Sequence, residues 1–267
     1  MADEPRTTSD KGGTRRIISQ SLTDRGLTRV RNEDACCAII NDHLTLLCIA
    51  DGMGGYENGE YASSEIIRTV RCWAAMHQNE GTGGQILDSF LNCIQNANKT
   101  IFNTYNQGQS VCGSTIAALL VGEGVSAVIN VGDSHVYRKR GFRFEQLSTD
   151  DVWQNQPDIA DLKLSFDQLR SHADYGKLTA AVGTDQELIP NVRSIQVRKK
   201  DVFLLCTDGV YKTCDERWLG HIVNPAFAGN SPRKTTEHLE HIVTDIKSEV
   251  YRKGAPDNLT VIVAQVQ

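Results

Sequence analysis

The sequence has no long hydrophobic run and no excess of positive charge. None of its apolar stretches reaches the roughly 18 residues that a membrane-spanning helix requires. Residues 1–15 are polar and lack the apolar segment of a secretory signal, so they are predicted to form a flexible tail. The net charge is −5. These absences argue against a membrane or a nucleic acid as the main partner.

Zinc-binding spacings of cysteine and histidine are also missing. The chain has eight cysteines but no C-x-x-C pair, and none of its seven histidines has H-E-x-x-H spacing. Several cysteines lie inside apolar runs, which favours buried thiols in a reducing compartment over a disulfide framework. We therefore expect a cytoplasmic protein whose residues 16–267 form one domain with a sizeable core.

The order of the apolar patterns predicts a mixed fold. Short runs rich in Val, Ile and Leu, which are typical of buried strands, surround three amphipathic helical patterns at about residues 59–77, 87–101 and 239–250. Because helices and strands do not alternate regularly, a parallel doubly wound sheet is disfavoured. We expect an α+β fold in which two antiparallel sheets pack face to face and helices cover them, an α-β-β-α sandwich. Strands are predicted at 16–21, 36–40, 44–50, 111–121, 125–131, 136–146, 192–197, 202–207 and from 259.

A polar segment at about residues 150–176 interrupts these patterns. Its apolar residues are scattered and follow no sustained period. It is predicted to be a small irregular or helical flap packed on the main body.

Aspartates mark the ends of several predicted strands. Asp51 and Asp208 each follow an apolar run and precede a glycine, Asp133 follows a third run, and Asp257 stands just before the last. A single Asp-Gly pair is most simply a turn. Carboxylates gathered at one edge of a sheet, however, repel each other unless a positive charge lies between them, and hard divalent cations prefer oxygen ligands. A metal centre is therefore the leading hypothesis, with separate turns as the alternative.

Seven short motifs follow one another between about Ser19 and Val266. They are Arg29-x-x-Asn32-Glu33-Asp34, Asp51-Gly52-Met53-Gly54-Gly55 with Gly59-Glu60, Gly113-Ser114-Thr115, Gly132-Asp133-Ser134, Thr179-x-Ala181-x-Gly183, Thr207-Asp208-Gly209 and Asp257-Asn258-x-Thr260. Each motif alone is weak evidence. In this order and over this length, the chain resembles the bacterial metal-dependent protein phosphatases of the phosphatase 2C (PPM) family.

The resemblance implies a catalytic domain with two Mn²⁺ or Mg²⁺ ions in a cleft at one end of the sandwich. Asp51 would bridge both ions, and Asp208 and Asp257 would complete the coordination of one. The carbonyl group of Gly52 and the side chain of Glu33 would serve the other ion. Gly52 would be needed because its carbonyl must turn towards the ion in a backbone shape that a side chain would hinder.

Three further residues have supporting roles in that layout. Asp34 and Asn258 would lie just behind the ligands, with Asp34 orienting water. Asp133 would help Asp208 to bind a third, weaker ion, and a hydrogen-bonding role is its alternative.

The implied reaction is hydrolysis of phosphoserine and phosphothreonine monoesters in proteins. A hydroxide between two ions would attack phosphorus in line, so no protein nucleophile is required. The resemblance implies that Arg29 grips the phosphate, because it holds the family's phosphate-gripping position, and a guanidinium group matches phosphate geometry bidentately. With Asp51 and Asp208, it completes the predicted catalytic set.

The expected partners are phosphorylated proteins, above all a cognate bacterial Ser/Thr kinase and its substrates, and the chain is expected to be a monomer. One alternative is the same chemistry acting as a regulatory switch on a single partner protein. Another is an inactive scaffold that binds phosphoproteins. The scaffold predicts loss of at least one metal carboxylate, yet all four are present, namely Glu33, Asp51, Asp208 and Asp257.

Three positions depart from the family pattern. Met53 stands where many eukaryotic relatives have a histidine that helps to protonate the leaving group. Either a metal-bound water takes over that role, or the leaving alkoxide or phenolate departs with less help. His135 stands in place of a common arginine, and Asp151 in place of a common histidine. These last two changes affect flanking contacts and not the metal ligands.

Overall fold

The structure is a computed structural model that describes residues 16–54, 58–77, 83–105, 112–224 and 231–267. The predicted tail at residues 1–15, as well as Gly55 and Val111, lies outside the described residues. Within the described ranges, no helix combines the length and the apolar character that crossing a membrane requires.

Eleven strands and seven α-helices make up the described fold. The strands are β1 (Ile17–Asp24), β2 (Asp34–Ile40), β3 (Leu44–Gly54), β4 (Cys112–Ser114), β5 (Ile116–Gly122), β6 (Val125–Val131), β7 (His135–Arg140), β8 (Arg143–Gln146), β9 (Asn191–Ser194), β10 (Val202–Cys206) and β11 (Leu259–Val266). The helices are α1 (Asn58–Met76), α2 (Gly83–Tyr105), α3 (Pro157–Asp161), α4 (Phe166–Arg170), α5 (Asp208–Tyr211), α6 (Glu216–Ile222) and α7 (Pro232–Arg252).

The strands form two antiparallel sheets. One has the order β1-β11-β10-β7-β8, and the other has the order β2-β3-β5-β6-β9, with β4 also paired to β3. The first and last strands are neighbours: β1 runs antiparallel to β11, from Ile17 opposite Val266 to Asp24 opposite Leu259. The metal motifs that follow β1 and precede β11 therefore lie at the same end of the molecule.

Strand β3 shows how the layers are held together. Leu46 and Cys48 belong to the core formed with α1 and α2, whereas Leu47 and Ile49 belong to the core between the two sheets. Successive side chains of a strand point to opposite faces, so one strand contributes to two cores. Strand β11 divides its side chains in the same way between α7 and the other sheet. The predicted α-β-β-α sandwich is confirmed.

Two predicted strands are wrong in detail. The run at 111–121 is divided into β4 and β5 at Thr115, whose hydroxyl oxygen accepts from the Asp51 amide while its own amide donates to the Asp51 carbonyl oxygen. The run at 136–146 is a hairpin, β7 and β8, that turns at Gly141, where φ is +58°. Glycine adopts this left-handed conformation without steric cost, which makes it the turning point. Helices α5 and α6 are too short to produce a helical period in the sequence.

The segment 150–176 contains a 3-10 turn at Trp153–Asn155 followed by α3 and α4. The ring of Trp153 stacks on that of His172, with 4.1 Å between ring centroids. Helix α4 begins at a capping box in which Ser165 and Gln168 satisfy each other's amides. Leu162 and Phe166 remain 61% and 63% exposed, so the segment presents apolar side chains to solvent.

Candidate metal centre

The backbone of Asp51 is fixed from two sides near the end of β3. Its amide donates to Oγ1 of Thr115 at 3.0 Å, and its carbonyl oxygen accepts from the Thr115 amide at 2.9 Å. The hydroxyl group of Ser114 donates to the same carbonyl at 2.9 Å. The Gly113-Ser114-Thr115 motif thus positions Asp51, a role that was not assigned from the sequence.

Asp34 lies beside Asp51, opposite it in the β2–β3 register, and is 7% exposed. One carboxylate oxygen accepts from the Thr207 hydroxyl at 2.8 Å, while the other, Oδ1, is buried without a hydrogen-bond partner among the described residues. Burial raises the pKa of Asp34 to about 7; threonine hydroxyls oppose this rise, and nearby aspartates add to it. A buried carboxylate oxygen without a donor fits a site that receives a cation or its water.

Negative charge accumulates around Asp51. Burial raises the pKa of this carboxyl well above its usual value, and the charges of Asp34, Asp208, Asp133 and Asp257 raise it further, in that order. Within the described ranges, no group of three or more His, Cys, Asp or Glu side chains is arranged so that it could hold an ion as it stands. The donors that converge are nevertheless all oxygen atoms, as Mn²⁺ and Mg²⁺ prefer, so the residues fit such ions in chemistry and charge.

Gly52 brings the Glu33 motif against β3. Its amide donates to the carbonyl oxygen of Glu33 at 3.0 Å. A Cβ at this position would lie 2.1 Å from the carbonyl oxygen of Gly59 and 2.6 Å from that of Glu33. The φ angle of Gly52 is not positive. Glycine is therefore required because three backbone segments pack closely at this position, where a side chain would be hindered.

Asn258 ties the loop between β1 and β2 to the start of β11. Its Oδ1 accepts from the Glu33 amide at 2.9 Å, and its Nδ2 donates to the carbonyl oxygens of Arg25 and Arg31 at 2.9 and 2.8 Å. The backbone of Gly209 packs against it, since a Cβ there would lie 1.9 Å from the Asn258 carbonyl oxygen. Asn258 thereby brings three of the predicted metal motifs together.

Arg29 lies in this loop and points to Asp257. Its guanidinium Nη2 donates to Oδ2 of Asp257 at 2.9 Å, and this hydrogen bond raises the pKa of Arg29. The arginine side chain is 49% exposed. A half-exposed guanidinium beside a predicted metal ligand can meet a phosphate that enters from solvent.

Asp133 is held by residues of α5. Its Oδ2 accepts from the Tyr211 hydroxyl at 2.9 Å and from Nζ of Lys212 at 3.4 Å, and Lys212 also donates to Oδ2 of Asp208 at 2.7 Å. Lys212 was not among the residues predicted from the sequence. The available signal was its spacing, because a residue four positions after Asp208 in a helix lies on the same face.

The two departures flanking Asp133 have structural partners. Nε2 of His135 lies at hydrogen-bonding distance, 3.0 Å, from the Asp150 carboxylate oxygen Oδ2, and the His135 ring stacks on Tyr211 at 3.7 Å. Asp151 accepts from the amide of Gly132 at 2.9 Å and from Asn191 at 2.8 Å. Both residues support the turn that carries Asp133, and neither contacts Asp51 or Asp257.

Comparisons with known proteins agree with this geometry. A family model described as Protein phosphatase 2C matches residues 28–244. The chain is similar to the serine/threonine protein phosphatase PstP of Mycobacterium tuberculosis, with 29% identity over 91% of this chain and 44% of that protein. It therefore spans less than half the length of that relative. Similarity to the serine/threonine phosphatase stp of Listeria monocytogenes is 26% identity over 91% of this chain and 93% of that protein.

A solved structure shares the architecture. The catalytic domain of the serine/threonine protein phosphatase PstP, crystallised with two manganese ions, superposes with a TM-score of 0.73 and 25% sequence identity. The alignment covers 94% of this chain and 98% of that one.

Proposed function

Because this chain belongs to the protein phosphatase 2C family, we propose that it is a metal-dependent protein phosphatase that hydrolyses phosphoserine and phosphothreonine monoesters. The observation that carries the proposal is the accumulation of carboxylates at one end of the sandwich around Asp51, whose pKa is raised first by burial and then by the charges of four neighbouring aspartates. The inactive-scaffold alternative is disfavoured because none of the four predicted metal carboxylates has been replaced.

The proposed ligands of two divalent ions are Asp51, the Gly52 carbonyl, Glu33, Asp208 and Asp257. Such ions, Mn²⁺ or Mg²⁺, would supply an activated water and Lewis acidity towards the phosphoryl group. The protein's contribution is to hold the ligands in place through the backbone contacts of Thr115 and Asn258. Rigid placement matters because electrostatic catalysis depends on groups that need not reorganise during the reaction.

Arg29 is proposed to hold the substrate phosphate. Its guanidinium is oriented by Asp257 and still half exposed, so its remaining donors can face an incoming monoester. Asp34 is proposed to accept a hydrogen bond from a water at its unpartnered Oδ1. Met53 offers no proton, so departure of the alcohol depends on water and not on a side-chain acid.

Phosphorylated proteins are the proposed substrates, among them a cognate Ser/Thr kinase and its targets, since the similar bacterial proteins are named as serine/threonine phosphatases. The segment 150–176 is proposed as a flap that contributes to substrate choice, because it exposes Leu162 and Phe166. Free, mostly buried cysteines fit action in a reducing cytoplasm.

The test is hydrolysis of an aryl phosphate and of a phosphothreonine peptide by the purified chain, with Mn²⁺ and with a chelator. We expect turnover of both substrates that depends on Mn²⁺. The Asp208→Asn variant, which removes one ligand charge without changing the size of the side chain, should lose at least about a hundredfold in rate. Turnover in the presence of chelator, or near wild-type rates for Asp208→Asn, would contradict the proposal. Peptide binding without hydrolysis would support the scaffold instead.

A further inference from the structure

Lys212 joins two of the predicted metal carboxylates. It follows the short helix α5, one turn after Asp208, and its Nζ lies 2.7 Å from Asp208 Oδ2 and 3.4 Å from Asp133 Oδ2. Asp208 begins α5, and Asp133 lies between β6 and β7. Their side chains are only 22% and 10% exposed, respectively, whereas that of Lys212 is 55% exposed. The ammonium group therefore reaches inward from solvent to bridge two largely enclosed carboxylates.

The acceptor at Asp133 is held in position for this contact. The same Oδ2 accepts from the Tyr211 hydroxyl at 2.9 Å. The Tyr211 ring in turn stacks on His135 at 3.7 Å, with an interplanar angle of 16°, and His135 is buried. Asp133 is thus a fixed partner and not a mobile surface carboxylate, which distinguishes this contact from an ordinary exposed ion pair.

We propose that Lys212 is a built-in counter-charge that takes the place of the third divalent ion predicted between Asp133 and Asp208. The inference rests on the proposed function, because it assumes that Asp208 also serves the two-ion centre. Lysine is charged at neutral pH. An ammonium group and a divalent ion that used the same two oxygens would repel each other strongly at such short distances.

This arrangement has a specific consequence for the centre. One of the two negative charges of Asp133 and Asp208 is compensated by a covalently attached cation, so this part of the compensation does not depend on the metal supply. A third ion can bind only by displacing the lysine. The flexible side chain and half-exposed ammonium group of Lys212 allow this displacement, but the third ion then binds with lower affinity. The chain should therefore work with two ions at metal concentrations at which a chain without this lysine would bind three.

The experiment is calorimetric titration of Mn²⁺ into the metal-free full chain, with Lys212→Met and Lys212→Gln compared with the wild type. We expect two ions in the wild type and a third in both variants, bound at least about tenfold more tightly than any third ion in the wild type. Adding Asp133→Asn to Lys212→Met should remove the third ion again. Lys199→Met, which removes an exposed lysine before β10 at the opposite end of the sandwich, is the matched control and should bind two ions.

Several outcomes would overturn the inference. The first is that the wild type binds three ions with an affinity that Lys212→Met leaves unchanged. The second is that neither lysine variant binds a third ion, and the last is that the double variant still binds one. These results leave the proposed phosphatase function standing if two ions bind and the aryl phosphate is hydrolysed. Binding of no Mn²⁺ together with no hydrolysis would instead refute the proposed function, and this inference with it.

Discussion

Asp34 and Asp51 lie directly opposite each other on neighbouring strands, β2 and β3. Like charges in such a cross-strand position destabilise a sheet, and here both carboxyl groups are enclosed and both pKa values are raised, first of all by burial. The fold thus keeps an unfavourable pair at the point where the proposed ions bind. Function, and not stability of the empty chain, accounts for this choice of residues.

Replacing Asp51 by Asn should stabilise the metal-free chain while abolishing phosphatase activity. The change removes one charge from the opposed pair and preserves the size of the side chain, so we expect a gain of about 1 kcal/mol in the free energy of unfolding. Urea unfolding in the presence of chelator measures this gain. Asp42→Asn, in the exposed turn between the same strands, is the control and should change stability little. A loss of stability in Asp51→Asn would show that the pair is not repulsive.

Arg29 should affect phosphate binding more than metal binding. Losing charge-assisted hydrogen bonds to the phosphate should lower kcat/KM for an aryl phosphate by about 10- to 100-fold in Arg29→Ala. The kcat/KM of Arg29→Lys should lie between the values of the wild type and Arg29→Ala, because an ammonium group keeps the charge but lacks the forked hydrogen-bond donors of a guanidinium group. Arg31→Ala is the control: this neighbouring arginine lies 3.5 Å from Glu60 and should retain activity within about threefold. Equal losses in the two alanine variants would remove the special role of Arg29.

Gly52→Ala should disrupt both the fold and the centre. Its Cβ would lie 2.1 Å from the Gly59 carbonyl oxygen, a backbone atom that cannot move aside alone. We expect a loss of about 3 kcal/mol or more in the free energy of unfolding and loss of Mn²⁺ binding. Gly84→Ala, at a position in α2 with no atom within 4 Å of the added Cβ, should be neutral or stabilising by up to about 1 kcal/mol. Thermal and urea unfolding distinguish the two variants; similar stabilities would contradict the packing argument.

Asp24 provides a pH-dependent contribution to stability away from the proposed ligands. Burial alone would raise its pKa, but hydrogen bonds from Lys247, Tyr251 and the Gly26 amide lower it overall. A lowered carboxyl pKa stabilises the fold above the pKa of the unfolded chain, about 4, and this contribution is lost as the pH falls through the folded value.

Asp24→Asn should therefore lower the free energy of unfolding by about 1 kcal/mol at pH 7 and by much less near pH 2. The value at pH 7 is kept small because Lys247 is partly exposed. Unfolding of the variant and the wild type at the two pH values tests this. Lys247→Met should reproduce most of the effect. A difference that does not change with pH would mean that the carboxyl charge is not its source.

The apolar side chains of the flap should matter for peptides and not for small substrates. Leu162→Ser combined with Phe166→Ser should lower kcat/KM for a phosphopeptide by about tenfold, because burial of each side chain against a peptide would be lost, and should leave aryl phosphate turnover within about twofold. Phe142→Ser, which alters a fully exposed residue at the distant β7–β8 turn, is the control. Equal losses on both substrates would contradict a role in substrate choice.

The layers of the fold could be predicted because each core leaves its own period in the sequence. The apolar residues of α1 repeat at helical spacing, as Ile66, Val70 and Trp73 show, and all of these are buried. A side chain that accepts a main-chain hydrogen bond from a neighbouring strand leaves no such period in the sequence. Thr115 divides a strand through its hydroxyl, and Gly141 turns a run that reads as continuous; only the isolated glycine could have been noticed beforehand.

For the site, the strand-end aspartates could be predicted because a strand end is visible in the sequence. The contacts that hold them could not. Asn258 and Thr115 act on residues that are distant in the chain, and their partners follow from topology alone. Lys212 was overlooked for a different reason. A lysine in a polar stretch is ordinarily a solvated charge, and its reach to Asp133 depends on where β6 ends.

The pairing of β1 with β11 has a practical consequence. Residues 16 and 267 are joined by a hydrogen bond of 2.8 Å from the Gln267 amide to the Arg16 carbonyl oxygen, at the pole of the sandwich remote from Asp24 and Leu259. A fluorescent reporter or surface tether placed at either position would lie at the end of the sandwich away from the proposed metal ligands, so it would leave the approach of a phosphoprotein to them unobstructed.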